Sequence, residues 1–382
     1  MRILQTGDWH LGRRLGGLDL LEDQRFVLEQ LVAHAEQRRP DLVLVTGDIY
    51  DRADPPAAAV ELLDEVLSRL VLDLQLAVVL LAGNHDSPER LSFCSGILTR
   101  QGLRIAGDPG RARDPVVLDD GHGPVHLFAL PYLDPERVRE GLGRDDLRGH
   151  QAAMEIVLEG IRERQVPGVR TVLAGHAFVQ GGTASESERI LTVGGSGAVD
   201  ISLFDGFDHV ALGHLHRPQS PGPRIHYAGS LLAYSISESD HEKGFLWVEI
   251  PTSGPPSVER VPLRPRRRLR RVQGTFQEVM DRAAADPDRE DLIVAVLADV
   301  TPIPDAIGRI RQHYPNTLHL EWTSMERPVG EGTVSREVLR LDPLSLFRRF
   351  HEEATGLPID DASEALLIPV VERAVAARED AR

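Results

Sequence analysis

Five short stretches of the chain put metal-ligating residue types at the ends of apolar runs. They read Asp8-Trp9-His10, Gly47-Asp48, Gly83-Asn84-His85-Asp86, Gly175-His176 and Gly213-His214-Leu215-His216. Carboxylate and amide oxygens mixed with imidazoles suit Mn²⁺, Fe²⁺ or Zn²⁺ better than the all-oxygen cages of Ca²⁺ and Mg²⁺. Each stretch lies where a strand-like run gives way to loop, so a sheet could gather all five at one edge. Open α/β sheets bind ligands beyond the carboxyl ends of their strands. Residues two apart in an extended segment point the same way, which lets Asp8 and His10 share an ion and aims His214 and His216 at adjacent ones. Taken singly, each piece also reads as an ordinary turn; the ordered set carries the chemistry.

The elements that must position these residues alternate. Apolar runs at 2–6, 41–46 and 76–82 each end at a candidate ligand, and helical spacing fills 20–38 and 57–70 between them. That pattern predicts buried parallel strands joined by βαβ crossovers. Later runs at 125–130, 171–174, 209–212, 225–228 and 245–250 come without long helices between them, predicting a second, more antiparallel sheet. Residues 1–262 therefore read as one α/β sandwich flanked by helices. A turn cluster at 251–257 and an arginine-rich run at 264–271 follow, and the pattern over 269–322 predicts a small α+β unit within 263–328. After a loose stretch around 326–332, the 329–382 tail carries helical segments at 343–355 and 363–378. Asp342-Pro343 supplies an N-cap and a first-turn proline. Leu344, Phe347, Phe350, His351 and Ala354, then Leu366, Leu367, Val370, Val371, Ala374 and Val375, mark apolar stripes that either pack on their own chain or dock a partner.

Composition excludes other classes. The 382 residues suffice for two or three domains with real cores, and 41% hydrophobic with 27% charged residues is ordinary for a globular protein. One cysteine, Cys94, expected in the core, excludes a disulfide framework and a thiolate cluster. With 43 basic and 59 acidic residues the net charge is −16, so any contact with DNA needs local patches, bound cations or a partner. Lys243 is the only lysine. An acid at position 8 and charges within the longest apolar stretch predict neither a signal peptide nor a spanning helix, hence a cytoplasmic protein.

Read in order, D-x-H, GD-x-x-D-R, GNHD, GH and GHLH resemble the calcineurin-like metallophosphoesterases. The wording of 8–13, 46–52, 82–91 and 212–216 is similar to the bacterial nuclease subunits among them, and fainter similarity extends to the cap-like unit and tail. The resemblance implies Asp8, His10, Asp48 and His216 as ligands of one Mn²⁺ and Asp48, Asn84, His176 and His214 as ligands of a second, with Asp48 bridging. Two such ions ~3.5–4 Å apart stabilise both oxygens of a phosphoryl displacement. His85 is implied as proton donor to the leaving oxygen. Asp51 either orients His85 or is a surface aspartate. Also implied are DNA as substrate, double-strand exonuclease and single-strand or hairpin endonuclease activity in repair, recombination and replication, and an SMC-like ATPase partner docked by the tail. A homodimer is expected through 57–70 and 87–100, built on Leu62, Leu63, Val66, Leu67, Phe93 and Leu98. The chain carries no GxxxxGK[ST] loop, which leaves ATP to the partner. The alternatives are a small-molecule phosphodiesterase or phosphatase, and a DNA-end scaffold with a dead site, which the complete ligand set argues against. Gln5 and Gly7 depart from the family pattern of histidine and serine, at positions that are not ligands. Arg13 and Arg52 read as phosphate contacts or as surface salt bridges. The 264–271 run reads as a track for a DNA backbone or as a charged crossing between domains. Trp9 reads as packed.

Overall fold

In the computed structural model the runs read as buried strands pair into two six-stranded sheets. The structure describes residues 1–188, 197–301, 303–323, 343–360 and 363–370. Asp342, the 326–332 stretch and 371–378 lie outside the described residues, as do the side chains of Pro343 and Ala354. Two units are distinguished, Met1–Arg270 and Arg271–Arg382.

In the first unit one sheet runs Ser257–Pro262, Gly244–Glu249, Arg2–Thr6, Leu42–Val45, Ala77–Leu81, Leu103–Ala106. Its last four strands are mutually parallel, and Gly244–Glu249 joins antiparallel to Arg2–Thr6. Alternation decides which side chains meet the second sheet. Ile3, Leu42, Leu44, Val79 and Leu81 pack in one core with Val125, Leu127, Val172, Ala174 and Ala211. Leu4, Val43, Val45, Val78 and Leu80 are equally buried on the opposite face. The helices Leu21–Arg38 and Ala57–Ser68 supply the apolar stripes for such a face, burying Leu28, Leu31, Leu62, Leu63 and Val66.

The second sheet corrects one expectation. Its order is Gln219–Gly222, Ile225–Tyr227, His209–Gly213, Arg170–His176, Pro124–Leu130, Val116–Asp119, and the four central strands are parallel. A parallel step needs a crossover. Here Pro135–Leu142 and Gly149–Arg162 provide one, burying Val138, Ala153, Met154, Leu158 and Ile161. Five strands therefore deliver their carboxyl ends, and the loops beyond them, to one edge of the sandwich.

Cys94 is a second correction. Ser87 caps a single helical turn at Pro88–Leu91, another turn follows at Ser95–Leu98, and Cys94 sits exposed between them at φ +58°. Trp9 is fully buried, its indole N–H donating to Thr6 Oγ1 at 2.9 Å. Within the arginine run, Arg267 pairs with the Asp23 carboxylate and Leu269 is buried.

The second unit holds a three-stranded sheet, Leu269–Gly274, Leu292–Leu297, Thr317–Trp322, with the helices Phe276–Ala285 and Ala306–Arg311. Thr275 and Glu278 form a capping box on the first helix. The helix Pro343–Thr355 and a helical run at 363–370 leave Phe347, Phe350, Leu366 and Val370 exposed. No helix among the described residues is long and apolar enough to cross a membrane.

Candidate metal centre

The loops beyond the strands are stitched together by their own backbone. Asp8 donates to Gly47, His10 to Asp48 and Leu11 to Ile49, continuing the parallel pairing past the sheet edge. Asp86 ties the third loop in: its Oδ2 accepts from Ile49 N and Gly83 N, and its Oδ1 from Tyr50 N, at 2.8–3.1 Å. Eight non-glycine residues among the described ones have positive φ, and four are Asp8, His10, Asp48 and His214. Backbone held in that region is strained, and it persists only where its surroundings over-determine it. Glycine is required beside them, since a Cβ on Gly83 would lie 2.2 Å from Asp48 Oδ1.

The side chains converge. Asp48 Oδ2 lies 3.6 Å from His10 Nε2 and 3.5 Å from His176 Nε2. Asn84 Oδ1 lies 2.9 Å from His176 Nε2 and 3.0 Å from His214 Nδ1. His10 Nε2 faces His216 Nε2 at 3.0 Å. The His214 amide donates to Asp8 Oδ1 and the His85 amide to Asp48 Oδ1, both at 2.9 Å. Two donor groups fit within a coordination sphere, Asp8–His10–Asp48 and Asp48–His176–His214, sharing Asp48. A third, His10–Asp51–His85, adjoins them.

Burial pushes the Asp8 carboxyl up to about 7, with Asp48 adding to the shift. Burial would raise Asp48 as well, but His176, His10 and His85 hold it well below the usual carboxylate range. His176 is held up at about 9 by Asp48 and Asp8, against its burial. Burial drives His214 and His216 the other way, His216 to about 4, which favours the neutral ring with its lone pair. Asp8 Oδ2 is buried with no hydrogen-bond partner. Two carboxylates, one of whose oxygens is buried and unpaired, an amide oxygen and four imidazoles fit divalent cations as a donor set.

Each ligand expected from sequence is in this cluster. Asp51 differs from expectation in which atom it uses. Its backbone carbonyl lies 2.8 Å from His85 Nδ1, while its carboxylate pairs with Arg13 at 2.8 Å and lies 3.6 Å from His10 Nδ1. Burial alone would raise that carboxyl, but His10 and Arg13 lower it to about 2. Arg13 is thus engaged in a salt bridge, and Arg52 is exposed. Sequence reasoning missed Asp86 and Gln24, whose amide donates to the carbonyls of Trp9 and His10. It also missed Ser187 and Glu238, which face His216 Nδ1 at 2.6 and 3.4 Å.

The pattern of the calcineurin-like phosphoesterases matches residues 1–218, and that of the type 5 capsule protein repressor C-terminal domain matches 265–355. Over 357 residues the chain is 32% identical to SbcD, the D component of the SbcCD nuclease, from Staphylococcus saprophyticus, covering 93% of this chain and 94% of that one. The chain belongs to the SbcD family of calcineurin-like phosphoesterases. Two solved structures are also similar. The protein TT1561 of Thermus thermophilus shares 13% identity at TM-score 0.40, over 68% of this chain and 98% of its own. A dimetal phosphatase from Danio rerio shares 14% at TM-score 0.36, over 65% and 92%. In this SbcD-family chain Gln5 is not idle: buried, its amide donates to His226 O at 2.8 Å and its carbonyl lies 2.9 Å from His209 Nε2. Membership of the SbcD family makes the chain a hydrolase of the phosphoesterase class, and the clustered donors agree with its metal-binding chemistry.

Proposed function

We propose that the chain is a Mn²⁺-dependent DNA nuclease that acts with an SMC-like ATPase in repair and recombination. The observation that carries this reading is the convergence of seven donors, Asp8, His10, Asp48, Asn84, His176, His214 and His216, around a shared Asp48 in a chain related throughout its length to a nuclease subunit. Asp8, His10, Asp48 and His216 would hold one ion, and Asp48, Asn84, His176 and His214 the other. Bound there, divalent cations supply Lewis-acid stabilisation to phosphoryl oxygens and bring the pKa of water toward neutrality.

The remaining work falls to the chain. His85 Nδ1–H donates to the Asp51 carbonyl, so as an imidazolium His85 would give the leaving oxygen its proton from Nε2 and keep the one on Nδ1. Asp51 thus orients His85 through its backbone, while its carboxylate neutralises Arg13 beside the site. Partner docking by the tail is supported by exposed Phe347, Phe350, Leu366 and Val370, apolar side chains whose burial against a partner would be favourable. A homodimer would use Leu67, Phe93 and Leu98, with the exposed Leu72 and Ile97 nearby in sequence. Leu62, Leu63 and Val66, expected in that contact, are buried in the chain's own core. We place the protein in the cytoplasm, on DNA when active.

The test compares substrates. With Mn²⁺, the chain should cleave linear DNA in preference to p-nitrophenyl phosphate esters. Turnover of the small esters with no cleavage of DNA, with or without the ATPase, would favour the small-molecule reading.

A further inference from the structure

Of the 43 basic residues in the chain, Lys243 alone is a lysine, and it is buried. An ammonium has three hydrogens, and here each has an acceptor: His216 O at 2.8 Å, Ser230 Oγ at 2.9 Å and Glu238 Oε2 at 2.6 Å. Arginine serves at every other basic position, but its planar five-donor fork cannot satisfy three acceptors grouped around one point. The other oxygen of Glu238, which is wholly buried, accepts from Ser187 Oγ. With its proton committed there, Ser187 Oγ is left to accept from His216 Nδ1, 2.6 Å away. That chain of donors fixes the proton on Nδ1 and leaves the lone pair on Nε2, the atom facing His10. The His216 amide is held separately, donating to Glu188 Oε1 at 2.7 Å.

We propose that Lys243 and Glu238 are a positioning pair for His216, setting both the tautomer of its ring and the place of its backbone. The proposal rests on the reading of His216 as a metal ligand. Outer partners of ligating histidines typically govern about 10- to 100-fold of metal affinity.

The test titrates the full chain with Mn²⁺ and follows free Mn²⁺ by electron paramagnetic resonance, with circular dichroism as the check on folding. Glu238→Gln and Lys243→Arg should each weaken one of two Mn²⁺ equivalents about 10- to 100-fold and leave the other unchanged. Ser187→Ala, which breaks the relay and removes no buried charge, should weaken the same equivalent by a smaller factor with an unchanged melting temperature. Should Lys243→Arg fail to fold, Glu238→Gln and Ser187→Ala decide. His216→Asn separates the two claims. If it loses one equivalent while Glu238→Gln and Ser187→Ala bind both as wild type does, the positioning pair is wrong and the ligand reading stands. If His216→Asn itself binds both equivalents normally, the ligand reading falls and the proposal falls with it.

Discussion

His10 Nε2 and His216 Nε2 lie 3.0 Å apart although 206 positions separate them in the chain. One follows the Arg2–Thr6 strand of the first sheet, the other the His209–Gly213 strand of the second. The donation from the His214 amide to Asp8 Oδ1 makes the same cross-sheet link. The site is therefore a product of sandwich packing, and either sheet alone supplies only part of it.

Asp48 is the residue both halves share. Asp48→Ala should lower Mn²⁺ stoichiometry from two tightly held ions toward none and abolish turnover of every substrate. Metal analysis still finding two tight ions per chain would contradict the bridging role.

Gly83→Ala should act on the same carboxylate indirectly. Its Cβ would fall 2.2 Å from Asp48 Oδ1 and 2.3 Å from Asp48 N, and the backbone atom cannot swing away. We expect a loss of about 1–3 kcal/mol in stability together with weakened metal binding. Gly96→Ala is the control: it sits in a short helix with nothing within 4 Å of its Cβ, and should be neutral or stabilising by up to about 1 kcal/mol in a melt.

Stability should depend on pH through Asp120, away from the site. Arg170 donates to both of its oxygens at 2.7 Å and holds its carboxyl below the usual range. A carboxyl whose folded pKa is depressed contributes stability that is full above its unfolded value of about 4 and is lost as pH falls through the folded value. Wild type should therefore exceed Asp120→Asn by about 1–2 kcal/mol at pH 7. The gap should shrink in denaturant melts taken below about pH 4. A gap that is constant with pH would assign the effect to packing.

Phe350→Glu and Leu366→Glu place charge on the exposed tail surface. Both should leave the melting temperature nearly unchanged and abolish co-purification with the ATPase. Full retention of the partner by both variants would remove the tail from that role.

His85→Gln leaves every proposed ligand in place, and the hydrogen bond from its amide to Asp48 is a backbone one. Both ions should bind normally. Cleavage of DNA, whose leaving alkoxide needs a proton, should fall about 10²–10⁴-fold. Turnover of bis(p-nitrophenyl) phosphate, whose phenolate leaves unaided, should fall much less. Equal losses would make His85 a phosphate-positioning group.

The clustered donor residues were legible because each lies within a few residues of a strand end, where local spacing and glycine report it. The parallel order of the second sheet was not, because its crossover is divided between the eight-residue helix Pro135–Leu142 and the 14-residue helix Gly149–Arg162, with Gly143 and Gly149 at positive φ at the break between them. Glu238 and Gln24 reach the site from 22 and 14 positions away, a contact that no local pattern encodes. Asp86 had a signal, an acid directly after Asn84-His85 whose side chain could cap the adjoining loops. Leu62, Leu63 and Val66 lie inward, away from the expected dimer contact, because an amphipathic helix turns its apolar stripe to its own core.

Metal-dependent hydrolysis of DNA is read most directly from cleavage of an end-labelled linear DNA duplex by the full chain with the proposed ATPase partner, compared in Mn²⁺ and in chelator. Degradation in Mn²⁺, none in chelator, and recovery when Mn²⁺ is restored are the expected results. Undiminished cleavage in chelator, or none in Mn²⁺ from folded protein holding two ions, would contradict the nuclease reading.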